Sequence, residues 1–212
     1  MNFLRIVTVA AMLGLPPLSL AAKDFNVLDF GAKGDGQTLD TVAIQRTIDA
    51  AATNNGRVVI PHWRKFLTGS LQLKSRIDFH LSGELIISTN PADYSSDAVI
   101  TANNTTGVKI TGGGKISGRA LEFMTSFDAA DELWLFGDWR PAMLKLTGCR
   151  DLVVRDITID DAPSRAVQLL RCDNVLLYNL TVKNRLDVPD TDAIIADHSR
   201  FVSINNCDLA WR

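Results

Sequence analysis

The chain has 212 residues, 46% of them hydrophobic, 22% charged and 7% aromatic, with a formal net charge of −2. Such a composition is that of a globular protein and excludes a collagen-like, coiled-coil or disordered chain. The balanced charge argues against a nucleic-acid module, and three cysteines without a Cys-x-x-Cys or Cys/His cluster give neither a dense disulfide framework nor a zinc site.

Residues 1–22 read as a secretory signal peptide. Arg5 precedes the apolar stretch Ile6 to Leu20, and small residues surround Ala21. Pro16-Pro17 and the shortness of the run argue against a membrane anchor. The mature chain, residues 23–212, is expected to be secreted or periplasmic, with no membrane association once the leader is removed. Phe25 to Phe30 alternates like a strand, and Gly31-Ala-Lys-Gly-Asp-Gly36 breaks it without the Lys-Ser/Thr of a phosphate loop. Asp40 or Thr41 is placed to cap a helix whose Ile44, Ile48 and Ala52 share one face, and Asn54-Asn55-Gly56 ends it.

Beyond residue 56 the helical period disappears and short β-rich segments repeat. Val108-Lys-Ile110, Leu152-Val-Val154, Val175-Leu-Leu177 and Val202-Ser-Ile204 align. A second apolar residue follows seven positions after three of these starts, at Ile159, Val182 and Leu209, and eight after the first, at Ile116. Starts at 152, 175 and 202 are 23 and 27 residues apart. Strands repeating at that period without helices point to a solenoid. The leucine-rich pattern is absent, and a two-sheet sandwich does not account for fixed self-similarity. The expected fold is all-β: a right-handed, single-stranded parallel β-helix whose first coil is covered by the helix near residues 40–53. Cys149 and Cys172 fall at the same place in successive units. Coils about 4.8 Å apart would allow a disulfide between them; buried free thiols are the preferred expectation.

Five stretches carry a family resemblance. Phe25 to Gly36 with Asp40-Thr41 resembles the opening of pectin-degrading β-helix enzymes. Phe66-Leu-Thr-Gly-Ser-Leu-Gln-Leu-Lys-Ser75, Arg140-Pro141, Asp161-Ala-Pro-Ser164 with Cys172-Asp-Asn-Val175, and Pro189-Asp-Thr-Asp-Ala193 are similar to glycoside hydrolase family 28, the polygalacturonase family. The resemblance runs from about residue 25 to residue 210 and implies inverting hydrolysis of α-linked galacturonan by aspartates, with no metal and no cofactor. Inversion requires one carboxyl to protonate the leaving oxygen and another to activate water on the opposite face.

Carried over residue by residue, Asp192 matches the aspartate of the family's Asn-Thr-Asp motif, which positions and activates the water. Asp190 stands at the Asn of that motif as a substrate-binding candidate, and its extra negative charge would repel a galacturonate carboxylate. Ala193 and Ile195 replace the usual Gly and Asp, while Asp197 and His198 read as turn residues. At Pro61-His-Trp-Arg-Lys-Phe66, Trp63-Arg64 takes the place of a glycine with one residue added, so a strained or re-routed turn is expected. The pattern then calls for Gly-Asp-Asp shortly after Ala210, where this chain reads Trp211-Arg212. The corresponding expectation is a chain truncated at its C-terminal end, inactive alone, and monomeric or aggregating. The expected partner is a pectic polysaccharide, polygalacturonate or rhamnogalacturonan. A β-helix lyase or epimerase, with Asp160-Asp161 as its nearest acidic cluster, and a non-catalytic pectin-binding solenoid are the alternatives.

Overall fold

A computed structural model describes residues 22–210, so the signal-peptide expectation falls outside the described residues except at Ala22. Three parallel sheets carry the chain around one axis. Sheet 1 stacks Asp24–Asn26, Arg57–Ile60, Asp78–Leu81, Lys109–Gly112, Arg150–Arg155, Asp173–Tyr178 and Arg200–Asn205. Sheet 2 stacks Asp35–Leu39, Lys65–Thr68, Glu84–Ile87, Lys115–Ser117, Thr158–Asp160, Thr181–Lys183 and Asp208–Ala210. Sheet 3 stacks Leu71–Gln72, Ala98–Asn103, Ala142–Thr147, Val167–Leu170 and Ile194–Asp197. The chain visits the sheets in turn and each strand pairs with its counterpart one coil on, which makes the fold a parallel β-helix.

The interior is built from columns of like residues. In sheet 1 the register aligns Phe25, Val58, Phe79, Ile110, Val154, Leu177 and Ile204. In sheet 2 it aligns Phe66, Leu85, Ile116, Ile159, Val182 and Leu209. The repeat visible in the sequence is therefore the interior packing itself. The one spacing of eight is absorbed at Gly112-Gly113-Gly114, between two columns that stay in register.

Left-handed residues bend the chain at each corner. Asn55, Arg76, Gly107, Asp151, Asn174 and Phe201, all with positive φ, lie at or just before the successive sheet 1 strands. Asn and Asp tolerate that conformation, and here they also bond along the stack. Asn174 Nδ2 donates to Asp151 Oδ1 (2.7 Å), Asn179 Nδ2 to Asp156 Oδ1 (2.8 Å) and Asn206 Nδ2 to Asn179 Oδ1 (3.0 Å). Cys149 and Cys172 are both buried and free, their thiols donating to the carbonyls of Ala102 and Leu146, each at 3.2 Å. Thr105 donates to Cys149 Sγ at 3.2 Å, and Cys172 N–H donates to Ser199 Oγ at 3.0 Å. The column is thus a ladder of small hydroxyl and thiol side chains, longer than the two cysteines indicate.

The helix, Thr41–Ala52, packs on the strands at 24–26, 57–60 and 71–72 and closes the first coil. Ala51 takes the buried position expected of Ala52, beside Ile44, Thr47 and Ile48. Asp40 precedes the helix without a side-chain cap bond. Its buried carboxylate instead accepts from the N–H groups of Lys33 (2.7 Å) and Gly34 (2.9 Å), fixing the glycine-rich turn. The first strand ends at Asn26 rather than Phe30, because the Asn26 side chain caps a 3-10 turn over Val27–Phe30 that Gly31 closes at φ 96°. Trp63 adopts φ 63°, as the strained-turn expectation requires, a conformation that disfavours a residue with a Cβ by about 1–2 kcal/mol. An antiparallel hairpin, Met124–Asp128 with Leu133–Phe136, projects from the coil between sheets 2 and 3; no repeat announces it.

Candidate active site

The segment 184–193 carries both candidate aspartates from sheet 2 into the sheet 3 strand Ile194–Asp197, and it is braced from within. Buried Asn184 donates through Nδ2 to the Thr191 carbonyl (2.6 Å) and accepts at Oδ1 from Ala162 N–H (3.3 Å). Buried Thr191 donates through Oγ1 to the Val188 carbonyl at 3.1 Å. Ala166 N–H donates to the Asp192 carbonyl (2.9 Å) and Val167 N–H to that of Ala193 (3.1 Å), so the loop joins the sheet 3 ladder at Asp192. Neither Asn184 nor its Thr191 contact carries a sequence signal, since the two belong to no local motif.

Arg140 holds the same loop from below. Its Nη1 donates to the carbonyls of Pro163 (3.0 Å) and Pro189 (2.6 Å), and Nη2 to Asp190 Oδ2 (2.8 Å). The Arg140 side chain is 8% exposed and that of Asp190 59%. Burial lowers the pKa of the Arg140 guanidinium, and Asp190 works against that shift. Asp190 thus anchors the loop through its ion pair with Arg140, at a left-handed φ of 57°. The guanidinium also lies 3.4 Å from the centroid of the Phe136 ring, linking the loop to the hairpin. A second link joins Trp134 to Asp187, through Trp134 N–H to the Asp187 carbonyl (2.8 Å) and Nε1 to Oδ2 (3.1 Å). Arg185 forks onto the same carboxylate at 2.9 and 2.7 Å and holds it below the usual carboxylate range.

Asp192 faces a different cation. Its Oδ2 is 3.8 Å from Arg165 Nε, and both side chains are half-exposed. Beside Asp192, the interior columns of the last described coil, with Ile194, Ile204 and Leu209, leave a hollow of about 270 Å³. Outward from sheet 3 a row of mostly polar side chains runs toward this point: Gln72, Thr101, Lys145, Gln168 and Ile195. Asp197 and His198 form the turn out of the strand, with His198 Nδ1 2.6 Å from Asp197 Oδ1 and a φ of 47°. The acidic pair Asp160 and Asp161 is split. Asp160 lies 3.5 Å from Lys115 Nζ, whereas Asp161 Oδ2 accepts from Ala120 N–H at 3.0 Å. Among the described residues, no three His, Cys, Asp or Glu side chains converge as a metal site.

The parallel β-helix and the sequence along it match one glycosidase family. The sequence profile of Glycosyl hydrolases family 28 matches residues 51–211, and the chain belongs to that family. Polygalacturonase-2 of Solanum lycopersicum is 27% identical over 191 residues, covering 87% of this chain and 42% of the relative. Polygalacturonase QRT2 of Arabidopsis thaliana is 29% identical over 202 residues, covering 91% and 45% respectively. The family 28 exopolygalacturonase of Yersinia enterocolitica shares the fold with a TM-score of 0.76 at 24% identity, over 88% of this chain and 43% of that one. The chain thus spans a little under half the length of these relatives. No helix among the described residues is long and apolar enough to cross a membrane.

Proposed function

We propose that the chain takes part in the inverting hydrolysis of α-galacturonosyl linkages in pectic polysaccharide outside the cytoplasm, with Asp192 as the carboxylate that orients and activates water. One observation carries this reading: Asp192 sits beside an exposed cation, Arg165, where the polar row of sheet 3 reaches the loop. A uronate substrate needs a positive group near the carboxylate that acts on it, because two negative groups in contact repel. Arg165 fills that role, and Lys145 lies one step back along the row.

Asp190 is occupied by Arg140, which leaves Asp192 as the loop's available carboxylate. Inversion uses two carboxyl groups about 6.5–9.5 Å apart, and Asp192 is one of them in this reading. The same observation supports the second reading, a pectin-binding solenoid. The test is to incubate the protein with polygalacturonate, measuring binding by calorimetry and released reducing ends by a colorimetric assay. Binding that weakens in Arg165→Ala supports the substrate assignment. Reducing ends that disappear in Asp192→Asn, with inverted anomers by NMR, would establish turnover by this chain. Neither binding nor release, or release that survives Asp192→Asn, would overturn the role given to Asp192.

A further inference from the structure

We infer that Ile195 is a specificity-determining residue of the Asp192 site. With Leu170 it forms an apolar floor on the outer face of sheet 3, which takes a sugar whose C6 group is uncharged and ends in a methyl rather than a free carboxylate. The inference rests on the pectic reading above and narrows it. The register places both side chains outside the core. Val167 and Leu169 are buried, and Ile194, the strand partner of Val167, packs against the same cluster. Alternation along the strands then turns Gln168 and Leu170 outward in one coil, and Ile195 and Asp197 outward in the next.

The rest of this outer face is polar. Gln72, Thr101, Lys145 and Gln168 precede Ile195 in its row, while Asn103 and Thr147 precede Leu170 in the row beside it. Ile195 and Leu170 are one coil and two residues apart, about 8 Å between Cα atoms, so the two side chains adjoin on the diagonal. A single apolar side chain on a surface carries little meaning. Here two adjoin, and they do so where the polar row comes level with Asp192, three residues and about 10 Å of chain before Ile195.

The charges of this face select against a free carboxylate over Ile195. Lys145 meets Asp97 at 2.5 Å and Arg165 lies 3.8 Å from Asp192, so each cation beside the row already faces a carboxylate. Arg171 stands past the end of its strand, at the corner, with φ 53°. Asp197, two residues beyond Ile195 on the same face, has a side chain 57% exposed and only His198 as its ion-pair partner. A carboxylate laid on Ile195 would give up water to an apolar surface without gaining a donor, and would approach Asp197. The methyl of a methyl-esterified galacturonate, or of a 6-deoxy sugar, gains burial there instead. The pectic chain that fits therefore carries a uronate at Arg165 and an uncharged, methyl-bearing sugar over Ile195.

The experiment is affinity electrophoresis through gels containing highly methyl-esterified pectin, the same pectin after saponification, or a rhamnogalacturonan backbone. The unaltered chain runs beside Ile195→Val and Ile195→Arg, and melting curves show that both variants fold. A methyl-bearing polymer should retard the unaltered chain about fourfold more strongly than saponified pectin, the worth of one buried methyl group. Preference for esterified pectin alone identifies the ester methyl, and preference for rhamnogalacturonan alone the 6-deoxy carbon. Ile195→Val should keep the order, and Ile195→Arg should reverse it by supplying the missing cation. Saponified pectin binding as strongly as both other polymers, or an order unchanged in Ile195→Arg, would overturn this inference alone. Retardation by none of the three would overturn the pectic reading with it.

Discussion

Arg140 and Asp190 meet at 2.8 Å as very unequal partners, the cation enclosed by two proline carbonyls and the carboxylate mostly in water. The inequality fixes what each substitution does. Arg140→Ala leaves the Pro163 and Pro189 carbonyls without their donor and removes the Phe136 contact. It is expected to lower stability by roughly 2–4 kcal/mol. Asp190→Asn keeps an acceptor in place and breaks only an exposed ion pair, so its effect should stay within about 1 kcal/mol. Urea denaturation of both variants measures the difference; equal losses would show that Arg140 acts through charge alone.

Asn184 is expected to behave as an internal strut. Asn184→Ala strips two hydrogen bonds from a buried site, a loss of about 2 kcal/mol. Because one of those bonds ends on the Thr191 carbonyl, the damage should concentrate in residues 185–192. Limited proteolysis should cut there first in the variant, while the unaltered loop resists. Cleavage spread evenly over the chain would contradict this.

These two side chains show where sequence reading succeeded and where it stopped. The interior columns were legible because identical coils must place apolar residues at identical positions, so Ile116, Ile159, Val182 and Leu209 announce their own contact. Asn184 and Thr191 meet only because one loop folds back on itself, and nothing periodic records that. Arg140-Pro141 was visible as a motif, yet its reach across two coils to Pro189 depends on the stacking of loops. The hairpin at 124–136 breaks the repeat and is likewise silent in the pattern. At Trp63, the residue standing in place of a glycine announces the left-handed turn.

Asp161 is expected to work against folding at neutral pH. Burial raises its pKa above the ordinary carboxylate value of 3.8, and its buried Oδ1 has no hydrogen-bond partner. A carboxyl whose folded pKa is raised binds its proton more tightly when folded. Its contribution is therefore most favourable below the unfolded pKa and is lost as pH rises through the folded value. Asp161→Asn keeps the acceptor for Ala120 N–H, suits the left-handed φ of 55° and removes the titration. The variant should gain stability relative to the original as pH rises from about 4 toward 7. Paired melting curves across that range test it, and a parallel pH dependence would refute it.

The three cysteines should separate by accessibility. Cys149 and Cys172 are enclosed in the hydroxyl–thiol ladder, and Cys207 is half-buried near the last described coil. Donating to its neighbour Cys149, and then burial, push the Cys172 thiol up and away from reactive thiolate, while the same bond holds the Cys149 thiol down, so enclosure is what keeps Cys149 from reagent. Titration with a thiol reagent should modify Cys207 alone in the folded protein and the other two only in denaturant. Loss of the two buried thiols under non-reducing conditions would instead reveal a disulfide between coils.

The three glycines at 112–114 are an expansion joint. The coil that holds them is one residue longer between its sheet 1 and sheet 2 columns than the coils that follow, yet Ile110 still meets Val154 and Ile116 still meets Ile159. The extra residue is taken up at this corner without sliding any strand against its neighbour, and of the three glycines only Gly113 faces open space, where a Cβ would meet nothing within 4 Å.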